Sequence, residues 1–203
     1  MRIAILVEGQ TETVFFRYLR EFLAIRLKDK MPKLVPNRYD GRLPTNETLK
    51  RRVELLLSDS KQPADAVIAL TDVYTGTQEF QDGTDAKAKM SKWVGDNPRF
   101  YPHVAQYDFE AWLLPYWDDI REIAGTNKTV PSHQPETVNH SNPPSYRLQE
   151  AFRTGSRKRA YIKTRDAERI LRDKDLSIAA NVCPELKLFL NRILTLCGAQ
   201  PLG

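Results

Sequence analysis

Glu8 and Asp72 are the residues of this 203-residue chain whose placement points to chemistry, because each ends a strongly apolar run, at residues 2–7 and 66–71. Such runs have the length of buried strands. In a parallel α/β sheet, ligands collect in the crevice beyond the carboxyl ends of the strands. If the two runs share one sheet, the two carboxylates converge despite the sequence between them. Carboxylate oxygens are hard donors suited to Mg²⁺ or Mn²⁺, and an ion held by them polarises a phosphate, activates water and stabilises a leaving oxygen. That is phosphodiester chemistry. A Glu in such a place also carries protons when burial or a neighbouring acid raises its pKa. Taken singly, either acid reads equally well as a cap on the helix after its strand. It is the pair that carries the chemical reading.

The surroundings of Glu8 fit a supporting role. Gly9 lets the backbone turn tightly or approach a phosphate, Thr11 is a candidate N-cap, and Glu12 is either a second acid near Glu8 or a first-turn carboxylate on the helix dipole. Glu110 follows another short apolar segment and is either a further acid at the same sheet edge or a solvent-facing acid in a first turn. Tyr74, two positions after Asp72, either hydrogen-bonds a phosphate or packs.

The elements that must position these residues alternate. Residues 11–28 place Phe15, Tyr18, Leu19, Phe22 and Ile25 on one helical face. An extended segment at 34–39 precedes the turn-forming Asp40-Gly41, and Thr45 or Asn46 caps a helix carrying Leu49, Val53 and Leu56. After the second apolar run come a polar loop over 73–83, a helix from Asp85 to Trp93, a strand over 102–107 and an apolar helix starting at Glu110. Residues 125–144 read as a linker or a lid-like loop. Helices follow over 145–152, 164–171 and 184–196. The expected fold is α/β: a Rossmann-like, mostly parallel sheet flanked by helices, with a helical C-terminal part. Residues 1–124 are expected to form the core, and residues 125–203 a loop and helical extension packed on it.

Composition narrows the class. With 41% hydrophobic and 28% charged residues the chain should fold as a globular protein. Its apolar stretches are of strand length, too short for a membrane helix, and the start shows no signal-peptide pattern, so a cytoplasmic location is expected. Cys183 and Cys197 lack zinc-ligand spacing and read as buried free thiols. His103, His133 and His140 show no metal spacing either. The net charge of +5 is local: between Arg147 and Lys174 ten basic and four acidic side chains give +6, leaving the rest at −1. Such a stretch is either a polyphosphate-binding surface or a solvated helical face. Tyr146 and Tyr161 lie in it, available for stacking on bases.

The run Val7-Glu8-Gly9-Gln10-Thr11-Glu12 resembles the first motif of Toprim domains, the fold of topoisomerases, bacterial primases and overcoming-lysogenization-defect nucleases, whose Glu after the first strand is catalytic. The resemblance implies that role for Glu8, and metal binding with a catalytic part for Asp72. Tyr74 stands where the superfamily has the second Asp of Asp-x-Asp, which makes Glu110 the candidate replacement as a metal ligand. The chain is also similar, nearly end to end, to a DUF4276-like family of Toprim-like proteins, the family of the Toprim effector of PARIS anti-phage systems. The matching elements are the opening motif, Asp72-x-Tyr74, the run Tyr107-Asp108-Phe109-Glu110-Ala111-Trp112-Leu113-Leu114, Glu136-Thr137-Val138-Asn139 with Pro144-Ser145-Tyr146-Arg147-Leu148, and Cys183-Pro184. It implies a metal-dependent nuclease using Mg²⁺ or Mn²⁺ on nucleic acid, with RNA favoured over DNA and transfer RNA one candidate. Arg147, Lys163 and Arg159 would contact nucleic acid, and an ABC-type ATPase and a second copy of the chain are candidate partners. The competing expectation is a non-catalytic Toprim-like subunit that binds nucleic acid or the ATPase.

Overall fold

The computed structural model describes residues 1–39, 41–73, 79–138 and 142–203, together with the backbone alone at Gln10. Tyr74 and Asn139, singled out by the sequence, lie outside the described residues, as do Asp40, His140 and part of the loop expected over 73–83.

Four strands, β1 (Arg2–Val7), β2 (Lys33–Arg38), β3 (Ala66–Asp72) and β4 (Phe100–Ala105), form one parallel sheet in the order β2-β1-β3-β4. Helices α1 (Gln10–Leu27), α2 (Asn46–Leu57) and α3 (Gly83–Val94) make the three crossovers. β1 is apolar on both faces because both are covered. Ile3, Ile5 and Val7 join one core with α1, while Ala4 and Leu6 join a second core with Leu49 and Val53 of α2 and Met90 of α3. The edge strands carry Pro36 and Pro102, which lack the N–H that an extra strand would use.

Beyond β4 come α4 (Trp117–Ala124), α5 (Pro144–Thr154), α6 (Lys163–Leu171), α7 (Leu176–Ala180) and α8 (Pro184–Leu196). Their apolar residues, Leu148, Phe152, Ile170, Phe189 and Ile193 among them, enter the core built on α1. α4 and α5 meet at Gly155, where a Cβ would stand 2.1 Å from the Ala124 carbonyl oxygen, so only glycine fits.

Several local expectations are corrected. α1 begins at Gln10 with Gly9 as N-cap rather than Thr11, and its buried stripe through Phe15, Leu19, Leu23 and Leu27 drifts away from Ile25, which is 74% exposed. α3 is capped by Asp82, whose side chain accepts the Asp85 N–H at 2.8 Å, while Asp85 accepts the Gln81 N–H. β4 ends at Ala105 instead of residue 107 because Tyr107 takes a positive φ of 69° that breaks the strand. The apolar helix expected from Glu110 is two short 3-10 turns, Phe109–Trp112 and Leu114–Tyr116, since Pro115 has no N–H to donate back to Ala111. The linker expected at 125–144 is fastened over its described part: the Trp117 indole donates to the Lys128 carbonyl at 2.9 Å and the Trp112 indole to Glu136 at 3.0 Å.

Candidate functional site

The site forms where the parallel sheet places the carboxyl ends of its central strands side by side. In the β1–β3 register Val7 pairs with Leu70, so Glu8 emerges beside Thr71 and one step from Asp72. The strand order reverses its direction of growth between β1 and β3, which is the usual place for a ligand crevice in such sheets. Asp72 in turn pairs with Ala105 of β4, and the turn at Tyr107 carries the chain back toward the same edge with Asp108 and Glu110. That turn is anchored by aromatic packing: Phe109 lies edge-on to Phe15 at 5.2 Å, and Trp112 stacks on Phe189 at 6.0 Å. Glu12 projects from the first turn of α1, and Lys163 opens α6.

Glu8, Glu12, Thr71, Asp72, Asp108, Glu110 and Lys163 line one cavity of about 650 Å³, together with Arg42, Glu79, Ser145 and an apolar wall that includes Phe80 and Trp93. Six acids face two bases there. Glu8 accepts hydrogen bonds from the Thr71 hydroxyl and, at 3.4 Å, from the Leu43 N–H, yet burial outweighs both and raises its pKa, with Glu12 adding to the rise. Glu12 is raised by burial and by Glu110. Asp72 keeps part of its surface toward solvent, but its carboxyl is driven well above the ordinary range by burial and by Glu12, Glu8, Asp108 and Glu110 together. Asp108 is pushed up to about 7 by burial and by Glu110, although its Oδ2 accepts the Ser145 N–H at 3.1 Å. Burial first, and like-charge crowding after it, is the common cause.

Glu110 is fully buried, and its nearest cation is Lys163, whose Nζ lies 3.2 Å from Oε1. Beyond that ion pair, the two Glu110 oxygens and Asp108 Oδ1 are buried acceptors lacking a hydrogen-bond donor among the described residues. Burial pulls the Lys163 pKa down, but Glu110, Asp72 and Asp108 overcome it and hold the ammonium charged. Buried carboxylate oxygens with spare lone pairs are a donor set that fits a hard divalent cation. Among the described residues, however, no three acids are drawn together closely enough to hold one ion as the side chains stand.

The structure therefore gathers Glu8, Gly9, Glu12, Asp72, Glu110 and Lys163 into one cavity. Gly9 sits where a Cβ would press on the Glu12 carboxylate at 2.8 Å. It does not bring Arg147 or Arg159 there. Arg147 lines a separate hollow beside Glu150, and Arg159 makes a paired contact of 2.7 and 2.9 Å with the fully buried Asp166 while lying over the Phe152 ring. Neither tyrosine of that basic stretch lines the cavity, and the buried Tyr161 hydroxyl is without a partner among the described residues. Glu136 of the fourth motif is structural: its carboxylate accepts the Trp112 indole and the Glu185 and Leu186 N–H groups at the start of α8. Asp108, Thr71 and Arg42 were missed by the sequence reading. Asp108 and Arg42 each follow a strand or a turn at the same sheet end, which is the signal that would have found them.

Fold and site together define an α/β protein with a parallel sheet and an acid-lined cavity at its topological switch point. Residues 7–194 match the family described as Domain of unknown function (DUF4276), and the chain belongs to that family. Among solved structures it is similar to the C-terminal region of the Burkholderia pseudomallei OLD protein, with a TM-score of 0.52 and 12% identity over 97% of this chain and 98% of that one. It is also similar to the C-terminal region of the Xanthomonas campestris pv. campestris OLD protein, with a TM-score of 0.50 and 14% identity over 97% of this chain and 94% of the other. At these identities the likeness establishes a shared fold. No curated protein matches the chain. Among the described residues no helix is long and apolar enough to cross a membrane.

Proposed function

We propose that this chain is a divalent-metal-dependent nuclease of Toprim type, cutting phosphodiester bonds in nucleic acid, with RNA the favoured substrate and transfer RNA one candidate within it. The observation that carries the reading is the convergence of Glu8, Glu12, Asp72, Asp108 and Glu110, from three strand ends and one helix, on a single cavity in which burial and mutual repulsion raise the pKa of four of them. A fold has little reason to gather carboxyls that repel one another unless a cation or a proton joins them in use.

Glu8, Asp72 and Glu110, with Asp108 beside them, are the residues that would hold Mg²⁺ or Mn²⁺. Such an ion supplies charge neutralisation at the phosphate and a lowered pKa for bound water. Glu8, held in place by Thr71 and Leu43, is suited by its raised pKa to exchange a proton with the attacking water or the leaving oxygen. Lys163 stays charged and is the side chain placed to meet a phosphate oxygen when Glu110 turns to another partner. Hydrolysis forms a bond from water oxygen to phosphorus and breaks one phosphorus–oxygen ester bond, with the proton lost by the water balanced by the one gained by the leaving oxygen. The resemblance to Toprim effectors supports a cytoplasmic anti-phage role beside an ABC-type ATPase, and a second copy of the chain as a further partner.

The test is cleavage by the purified protein, with Mg²⁺ or Mn²⁺, of separate pools of transfer RNA, unstructured RNA, single-stranded DNA and duplex DNA, alongside Glu8→Gln. Discrete cutting of one pool, abolished by chelator and by Glu8→Gln with folding intact, is the expected result; equal cutting by the variant refutes the role of Glu8. A second reading is favoured by the lack of any three-acid ligating group among the described residues: a subunit that binds nucleic acid or an ATPase without turnover. Calorimetric titration showing no Mg²⁺ or Mn²⁺ binding, together with intact nucleic-acid binding, would favour it.

A further inference from the structure

The catalytic reading leaves two features of the surface unused. The first is the apolar part of the cavity lining: Phe80 and Trp93 are both half-buried, with ring centroids 6.0 Å apart, and pack on the second core while also lining the cavity. Lys89 holds Phe80 from outside the cavity lining, its Nζ 5.9 Å from the ring centre. The second is a neighbouring hollow of about 370 Å³ that shares Pro44 with the cavity and is lined by Arg38, Arg51, Arg52 and Tyr39. Among the described residues no acid lines that hollow, and Arg42, paired with Glu79 at 3.6 Å, lines the cavity on the same stretch of chain. The acid-rich cavity alone repels phosphate, whereas the hollow beside it attracts phosphate.

We infer that a single strand of nucleic acid is guided along the Arg38–Arg51–Arg52 hollow, past Pro44 and Arg42, and sets one unstacked base against Phe80 and Trp93 at the edge of the acid cavity. The inference rests on the proposed nuclease reading and names its substrate form: a single-stranded or looped segment whose base is free to leave its stack. Basic side chains that track the backbone and aromatic rings that take the bases are the two parts that sequence-tolerant single-strand binding requires. A duplex keeps its bases paired and offers nothing to the aromatic wall. The path runs from the end of β2 and α2 to Trp93 of α3, away from the Arg147–Lys174 stretch whose charge excess first suggests a nucleic-acid surface.

The experiment uses the full chain with chelator present, so that binding is read without cleavage. A fluorescein-labelled single-stranded RNA decamer and its duplex are titrated by anisotropy, and tryptophan emission is followed with unlabelled strands. Trp112 and Trp117 are 1% and 6% exposed, so a quench by a bound base reports Trp93. The expected result is quenching by the single strand and not by the duplex, lost in Trp93→Phe. Trp93→Ala should weaken binding by about ten- to a hundred-fold. Arg51→Gln, a surface change that spares the fold, should lower the slope of log affinity against log salt by about 0.7. Binding that leaves tryptophan emission unchanged, a duplex that quenches as strongly, or an unaltered salt slope in Arg51→Gln would each overturn the path while leaving the nuclease reading to its cleavage test. Absence of binding to any nucleic acid would overturn both.

Discussion

Replacing Asp108 by Asn separates the electrostatic cost of the site from its use. The carboxyl is 4% exposed, with Oδ2 bonded to the Ser145 N–H and Oδ1 without a partner. An amide keeps the acceptor for Ser145 and removes the charge. Burial first, and Glu110 second, raise the pKa from 3.8 to about 7, so the folded state holds the proton more tightly than the unfolded chain does. The stability this group gives is therefore complete below pH 3.8 and is lost as the pH rises toward 7. Relative to a side chain that does not titrate, the parent forfeits about 2 kcal/mol near pH 5 and about 4 kcal/mol near pH 8, from roughly 1.4 kcal/mol per pKa unit. Urea denaturation of both proteins across that range, in chelator, should show Asp108→Asn gaining on the parent as pH rises. Adding Mg²⁺ should narrow the gap near pH 8, because an ion bound to the ionised site stabilises the parent and loses a ligand in the variant. A gap that stays flat with pH refutes the raised pKa of the buried Asp108 carboxyl. A pH-dependent gap that Mg²⁺ leaves unchanged refutes Asp108 as a ligand.

Other changes test the scaffold. Arg159→Ala strips the fully buried Asp166 of its paired contact at 2.7 and 2.9 Å and leaves it only Arg165 and the Ile162 backbone N–H, so unfolding should become easier by about 2–4 kcal/mol with nucleic-acid affinity unaltered. A large loss of binding in a still folded Arg159→Ala protein would restore Arg159 as a contact. Glu136→Ala removes the carboxylate shared by Trp112 and the start of α8 and should cost about 1–3 kcal/mol in chemical denaturation. Gly155→Ala drives a Cβ into the Ala124 carbonyl and should lower the melting temperature by several degrees, at about 2–4 °C per kcal/mol for a chain of this size; an unchanged melting temperature would mean that α4 and α5 separate at little cost.

The sheet was legible because its signal is local. An apolar run with no polar face, at Arg2–Val7 and again at Ala66–Asp72, reads as a strand covered on both sides, and acids just past two such runs must share an edge if the strands are parallel neighbours. Helix starts and strand ends were less legible because they turned on single conformations, such as the positive φ of Tyr107 and the missing N–H of Pro115, which reshaped the approach to Glu110. The depth of Glu110 was out of reach, since it depends on Phe15, Trp112 and Phe189 meeting from distant parts of the chain.

Charge was the most misleading quantity to read along the sequence, because pairing is decided in three dimensions. In the stretch from Arg147 to Lys174, Arg159 and Arg165 are drawn to Asp166, Lys163 to Glu110, and Lys174 to Asp119 at 2.6 Å. Those cations balance internal acids, and their sum overstates what a partner meets. Residues 38–52 contain no acid-poor run long enough to stand out, yet folding places Arg38, Arg51 and Arg52 around one hollow in which no described residue of the lining is an acid, next to the carboxylates. A phosphate approaching this protein responds to the second arrangement. If long-range attraction of single-stranded RNA is governed by it, then Arg51→Gln should slow association at low salt more than Arg165→Gln does, and equal slowing in the two variants would return the weight to the C-terminal stretch.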